Sequence, residues 1–261
     1  MKKYIIAFLL LVISFLYIFL SNETGGARVF VNLMTFAGIY GLAAIGINVH
    51  FGWTGLLNFG HAAFMGIGAY VTVLLIPHSL GREGVVISSG LPLPLAILIG
   101  IIAAALLGLL LGLPTLRLRG DYLAIVTIAA AEIFRLLVRD FEDLTGGVYG
   151  IIQFSDSLQS SRPDFITRFS ESHNISPAQF WVGLLTWISI IVVLLILSRL
   201  KKSPWGRALR AVREDEDAVR ALGKNAVLLK LQSFMLGAAI GGLSGIFLVF
   251  NYGTVQASTF V

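Results

Sequence analysis

Leu93-Pro94-Leu95-Ala96-Ile97-Leu98-Ile99-Gly100-Ile101-Ile102-Ala103-Ala104-Ala105-Leu106-Leu107-Gly108-Leu109-Leu110-Leu111-Gly112-Leu113 carries no charged or hydrogen-bonding side chain. As a helix rising about 1.5 Å per residue, it is long enough to cross a hydrocarbon core roughly 30 Å thick. Six further apolar runs flank it, at Tyr4 to Leu20, Val29 to Val49, His61 to Ile76, Tyr122 to Val138, Phe180 to Ser198 and Leu231 to Phe250. The run from His61 is the shortest, and the run from Tyr122 carries charge. Apolar residues come in blocks rather than in the alternation of a transmembrane barrel. The expected fold class is all-α, a polytopic transmembrane helical bundle of about seven spans.

Composition agrees. Of 261 residues 57% are apolar and 13% charged, too little polar surface to cover a soluble core. A mean hydropathy of +0.88 excludes a disordered chain. Seven spans use roughly 140 residues, so a separate soluble catalytic domain has no room. The chain reads as a single membrane-spanning domain over 1–261. The absence of cysteine excludes disulfides, thiolate metal sites and cysteine nucleophiles. No metal site and no directly bound cofactor is expected.

The net charge of +5 is read through its placement, not as a sign of nucleic acid. With a cytoplasmic N-terminus, inner segments hold thirteen basic residues: Lys2, Lys3, Arg117, Arg119 and nine between Arg199 and Lys230. Outer segments hold five, and Arg135 lies within a span. That bias is the positive-inside pattern. The first run, after Met1-Lys2-Lys3, lacks a small-x-small cleavage site and reads as a retained anchor. The loop 139–177 then faces outward as a surface segment with a short helix, and offers a docking surface. Within it Thr145-Gly146-Gly147-Val148-Tyr149-Gly150 reads as a flexible turn at an outer gate.

Three features depart from a plain bundle. From Asn48 to His61 the chain gathers three glycines, two asparagines and two histidines. Either this is a broken element lining a translocation path, with Asn48, Asn58 and His61 on it, or it is a tight interfacial turn capped by Asn58. Second, Glu132 and Arg135 stand one helical turn apart and can pair. Each ionised group costs roughly 2.5–3.5 kcal/mol at mid-membrane, so they face the bundle interior or a cavity, unless Arg135 snorkels to the outer interface with Glu132 as its partner. Third, Gly108 with Gly112, and Gly237, Gly241 and Gly245, recur at four-residue spacing, which signals close helix packing rather than chemistry.

The inner segment 199–230 is the most informative. Ser203-Pro204-Trp205-Gly206 supplies an N-cap with proline at the first helical position. Trp205, Leu209, Val212, Val219 and Leu222 form one apolar stripe. Arg210 with Glu214, Arg213 with Asp217 and Glu216 with Arg220 stand four apart, and Gly223 closes the pattern. One or two short amphipathic helices are expected beneath the membrane. Four consecutive acidic residues, Glu214 to Asp217, oppose an anionic lipid surface, so a protein partner is favoured.

Here the chain resembles the LivM-type permease subunits of branched-chain amino-acid ABC transporters. The resemblance rests on Gly55-Leu56-Leu57-Asn58-Phe59-Gly60-His61-Ala62-Ala63-Phe64, Gly120-Asp121-Tyr122-Leu123-Ala124-Ile125-Val126-Thr127, and Ser203 through Glu214, which includes Trp205, Gly206, Arg207, Arg210 and Arg213. It implies a bacterial inner-membrane importer half that pairs with a second permease subunit, two ATPase subunits that use the ATP, and an extracytoplasmic solute-binding protein. The resemblance also places a coupling motif in the inner loop. Asp217, Ala218, Val219 and Gly223 occupy its acidic, small, small and glycine positions, with Val219 replacing an alanine. Permeases of this kind continue past the seventh span, whereas this chain stops at Val261, so it reads as a truncated chain or a short variant.

Rival readings fix what must be checked. Gly223-Lys224 is no P-loop, because Ala218 stands where the first glycine belongs and Asn225 where Ser or Thr would hold magnesium. An intramembrane serine protease would use Ser244, between Leu243 and Gly245, but no histidine follows His173 to serve as base. An ion-coupled carrier or channel acting alone would use Glu132 as its titrating group.

Overall fold

The computed structural model describes residues 25–80, 86–87, 90–115 and 120–260; the expected first span, Tyr4 to Leu20, lies outside them. The described helices are α1 Gly26–Thr54, α2 His61–Leu75, α3 Leu93–Thr115, α4 Gly120–Asp140, α5 Glu142–Thr145, α6 Asp156–Gln159, α7 Asp164–Ser172, α8 Pro177–Lys202, α9 Pro204–Glu214, α10 Glu216–Ala221 and α11 Ala226–Tyr252. Short strands β1 His78–Leu80, β2 Val86–Ile87, β3 Ile151–Ile152 and β4 Thr254–Val255 connect them. All six remaining apolar runs are therefore helices. α1, α3, α8 and α11 are long and apolar enough to cross a membrane, and α2 is a shorter apolar helix.

α11 is the axis of the bundle. Over its most apolar stretch 78% of residues are buried, against 28% for α3 and for α8. The glycine stripe explains why. A Cβ on Gly245 would stand 2.0 Å from the Met65 carbonyl oxygen of α2, and one on Gly68 would stand 2.5 Å from Gly242 Cα. On the α3 side, a Cβ on Gly108 would lie 2.8 Å from Ala238 Cβ. Three helices thus meet at backbone distance, where van der Waals packing supplies the association that a water-driven effect cannot supply in lipid. Hydroxyl groups add bonds between helices: Ser233 Oγ donates to the Val49 carbonyl at 2.9 Å and Ser244 Oγ to the Ile39 carbonyl at 2.8 Å. Ser244 is a packing residue with its proton engaged. α8 packs outside α1, with Trp187 Nε1 donating to the Met34 carbonyl at 3.1 Å.

The two ends of the bundle differ. At one end a small antiparallel sheet of order β2-β1-β3-β4 ties three connections together, with Ser79 opposite Ile152 and Ile151 opposite Val255. The loop 139–177 is more ordered than a surface segment with one short helix. It buries Ile151, Phe154, Leu158 and Ile166, and Phe154 meets the Phe250 ring of α11 at 5.5 Å. The turn expected to be flexible is also close-packed. Gly146 and Gly150 sit at φ 71° and 68°, and a Cβ on Gly150 would stand 2.2 Å from the Val255 carbonyl. Its glycines serve a positive φ and a close approach rather than mobility.

At the other end α8 turns into α9 through Ser203. The Ser203 hydroxyl accepts from Gly206 N at 3.2 Å with Pro204 at the first helical position, as the sequence predicts. A Cβ on Gly206 would stand 2.3 Å from the Leu200 carbonyl oxygen. Gly206→Val is expected to push α9 off the end of α8 and to cost about 2–3 kcal/mol, read as a lower melting temperature of the detergent-solubilised protein. An unchanged melt would show that the corner yields freely.

Candidate functional site

The segment 199–230 folds as a hairpin of α9 and α10, broken at Asp215, whose carboxylate caps α10 by accepting from Ala218 N at 3.0 Å. Leu209, Val212 and Val219 are buried, and Val212 and Val219 cluster with Ala226 at the start of α11. Leu222 departs from the expected stripe and is 81% exposed. α10 ends at Ala221, so Leu222 leaves helical geometry beyond the last packed layer.

The arginines do not make the helical pairs their spacing suggests. Arg207 Nη1 donates to the Lys202 carbonyl and Arg210 Nη2 to the Lys201 carbonyl, both at 3.2 Å. Arg213 Nη1 donates to the Gly52 carbonyl at 2.7 Å. These acceptors lie in the last turns of α8 and α1, where carbonyls lack helical partners and the dipole favours a cation. An exposed i,i+4 pair is worth only a few tenths of a kcal/mol, so the helix ends win. The expected Glu216–Arg220 pair does form, at 2.7 Å, and Lys230 also bonds Glu216. Trp205 stacks edge-on to Trp53 at 6.1 Å and donates to Gln232 Oε1 at 2.7 Å. Sequence reasoning missed Trp53, Gly52 and Gln232 as seats for the hairpin. Their partners lie more than twenty residues away, and no local pattern marks them.

The opposite face is open. Glu214, Asp217, Ala218 and Gly223 are exposed, with no heavy atom near the place a Gly223 side chain would take.

The turn Gly55–Gly60 lies over the hairpin, with a Cβ on Gly55 3.6 Å from the Arg213 side chain. Gly55, at φ 70°, ends α1 and sends the chain directly into α2. Asn58 organises the turn. Gly60 N–H donates to Asn58 Oδ1 at 3.0 Å, which orients the amide so that Nδ2 donates to His50 Nδ1 at 3.0 Å. His50 therefore carries its proton on Nε2, which donates to the Phe234 carbonyl of α11 at 2.9 Å. His61 stands beside it, ring centroids 5.7 Å apart, with neither nitrogen hydrogen-bonded among the described residues. Gly237 and Gly241 make room for the two rings: added Cβ atoms would lie 2.2 and 2.6 Å from the His50 and His61 Nε2 atoms.

The residues expected along a path fall in three places. Asn58 and His61 are buried among α1, α2 and α11. Asn48 is exposed in a cavity of about 450 Å³ between α1 and α8, lined also by Trp53, Leu194 and Lys201. Glu132 and Arg135 pair on α4, through Nε to Oε2 at 2.9 Å and Nη2 to Oε1 at 2.5 Å, with Glu132 exposed and Arg135 half-buried.

A family model described as "Branched-chain amino acid transport system / permease component" matches residues 29–261. The chain belongs to this permease family. Curated relatives agree. The LivM permease protein of Salmonella typhimurium is 36% identical over 241 residues, covering 88% of this chain and 54% of the relative. LivM of Escherichia coli is 34% identical over 270 residues, covering 99% and 60% respectively. The LivH permease protein of Escherichia coli is 26% identical over 226 residues, covering 86% and 71%. The chain thus spans a little over half the length of these LivM relatives. No solved structure matches it. For a member of the branched-chain permease family, the α9–α10 hairpin and the α4 ion pair are features that packing alone does not explain.

Proposed function

We propose that this chain is the membrane-embedded half of an ATP-driven importer for branched-chain amino acids or a related small polar solute. It works with a second permease subunit, two ATPase subunits and an extracytoplasmic solute-binding protein in the bacterial inner membrane. The N-terminus and the α9–α10 hairpin lie on the cytoplasmic side, and ATP is bound by the partner ATPases. One observation carries the reading. The hairpin is fastened to the ends of α1, α8 and α11 on one face, while Asp217, Ala218 and Gly223 stand exposed on the other.

Such a hairpin transmits displacement. Closure of the ATPases presses on the exposed face, and Arg213 carries the load to the Gly52 carbonyl, where α1 turns into α2. The bundle then rocks as a rigid body between two states. Asn48, Asn58, His61, Glu132 and Arg135 are the chain's candidates for the path this motion opens. Asp217→Lys or Gly223→Trp is expected to lower transport and solute-stimulated ATPase activity about tenfold, or ~1.4 kcal/mol of coupling, with the same amount of complex in the membrane. Neither side chain meets a packed layer among the described residues, so the folding cost expected is only that of a side chain at the Gly223 φ of 74°, about 1 kcal/mol. Unchanged transport with both substitutions would remove the coupling role.

A further inference from the structure

The Glu132–Arg135 pair is placed where a lipid-facing helix would not tolerate it. Among the described residues α4 touches the bundle along one side, through Leu123, Ala124, Thr127 and Val138, with the Phe134 ring filling the space beside Gly66. Its other side, with Tyr122, Ile125, Ile128 and Glu132, is exposed. At about 1.5 Å per residue, Glu132 lies roughly 18 Å from the start of α4 and 12 Å from its end, in the middle of the helix. On the outward faces of α3 and α8, Leu98, Ile102 and Leu106, and Ile188, Ile191 and Leu195, are exposed and apolar, as lipid requires. An ionised pair in mid-helix, among the exposed apolar residues of α4, is far better placed against protein or a watery cavity than against lipid.

We infer that the exposed face of α4 is one wall of a solute path closed by the second permease subunit, and that Glu132 and Arg135 form a subsite for a zwitterion. This inference rests on the importer reading above. A second permease subunit of the same family would supply a facing helix; LivM and LivH proteins both resemble this chain. The chemistry of the face matches one kind of solute. The planar Arg135 guanidinium offers parallel donors to a carboxylate, and the Glu132 carboxylate accepts from an ammonium. Ile125, Ile128 and Ile133 provide aliphatic surface around them. A zwitterion exchanges one intrahelical pair for two solute contacts and leaves the net charge unchanged. The wall is also linked to the hairpin. Phe59 N donates to Thr127 Oγ1 at 3.2 Å, and Gly60 lies so close that a Cβ there would stand 2.1 Å from the Thr127 carbonyl, so the turn resting on Arg213 also bears on α4.

The chain contains no cysteine, which makes the test direct. Ile125→Cys, Ala129→Cys and, as a lipid-facing reference, Leu195→Cys are introduced singly into the assembled, reconstituted complex. A charged, membrane-impermeant methanethiosulfonate is expected to modify the two α4 cysteines at least tenfold faster than Leu195→Cys, and excess leucine to slow that modification. The paired neutral variant Glu132→Gln/Arg135→Gln leaves no charge unpaired, so a merely structural pair predicts normal transport. The subsite predicts a KM at least tenfold higher, with normal complex abundance. If the parent complex transports while the α4 cysteines are as inert as Leu195→Cys, or while the paired variant keeps its KM, the subsite is wrong and the importer reading stands.

Discussion

Gly245→Val is expected to lower the melting temperature of the detergent-solubilised chain by about 10 °C, from a loss of roughly 3 kcal/mol or more. Overpacking costs are moderate when a flexible side chain can move aside. Here the obstacle is helix backbone, because the first added carbon would stand 2.0 Å from the Met65 carbonyl oxygen and 2.5 Å from its carbon. Relief requires α2 and α11 to separate, which also breaks the contact between Gly68 and Gly242 nearby. Gly241→Val meets the His61 ring instead, at 2.6 Å, and is expected to cost less because a ring can rotate. Gly223→Ala meets nothing and pays only for its φ of 74°, about 1 kcal/mol. A melting series in which Gly245→Val is no worse than Gly223→Ala would refute backbone contact as the basis of the bundle.

That stripe was legible in the sequence because its period is helical and its residues are small. The spans were legible for a related reason: length and hydrophobicity are local properties, and six of the seven runs match helices, with the first outside the described residues. The hairpin was also foreseen, since its cap, its proline and its buried Leu209, Val212 and Val219 are written within twenty residues. Partners across the chain were not. Nothing near Arg213 announces Gly52, and i,i+4 charge spacing pointed to Asp217 instead. Helix ends in space, not neighbours in sequence, decide where a guanidinium goes when exposed pairs are weak. The same limit explains Leu222, which continues the apolar period after the helix has ended, and the loop 139–177, whose small sheet pairs residues about seventy and one hundred positions apart. From Asn48 to His61 the chain forms a short turn organised by Asn58, with both histidines buried against α11, a geometry that fits both readings of this stretch.

The His50 ring is where that turn, α1 and α11 are joined, and its removal is expected to have the second large effect. His50→Leu leaves the Asn58 amide without its partner in a buried site and takes from the Phe234 carbonyl, in the interior of α11, the bond it accepts besides its helical one. At about 1–3 kcal/mol for the buried group left unmade, the loss comes to roughly 2 kcal/mol. Asn58→Ala removes the same amide contact and also frees Gly60 N–H. Because the two substitutions share one hydrogen bond, the double variant is expected to be less destabilised than the sum of the singles, by about 1–2 kcal/mol. His61 supplies the contrast within one ring diameter. Its nitrogens have no hydrogen-bond partner among the described residues, so His61→Met, which keeps the volume and removes the polar atoms, is expected to change stability by less than about 1.5 kcal/mol. Thermal melts of the four variants and the parent in one detergent decide the matter. Additive losses for His50 and Asn58, or a His61→Met loss as large as that of His50→Leu, would mean that ring packing rather than the hydrogen-bonded chain holds the turn in place.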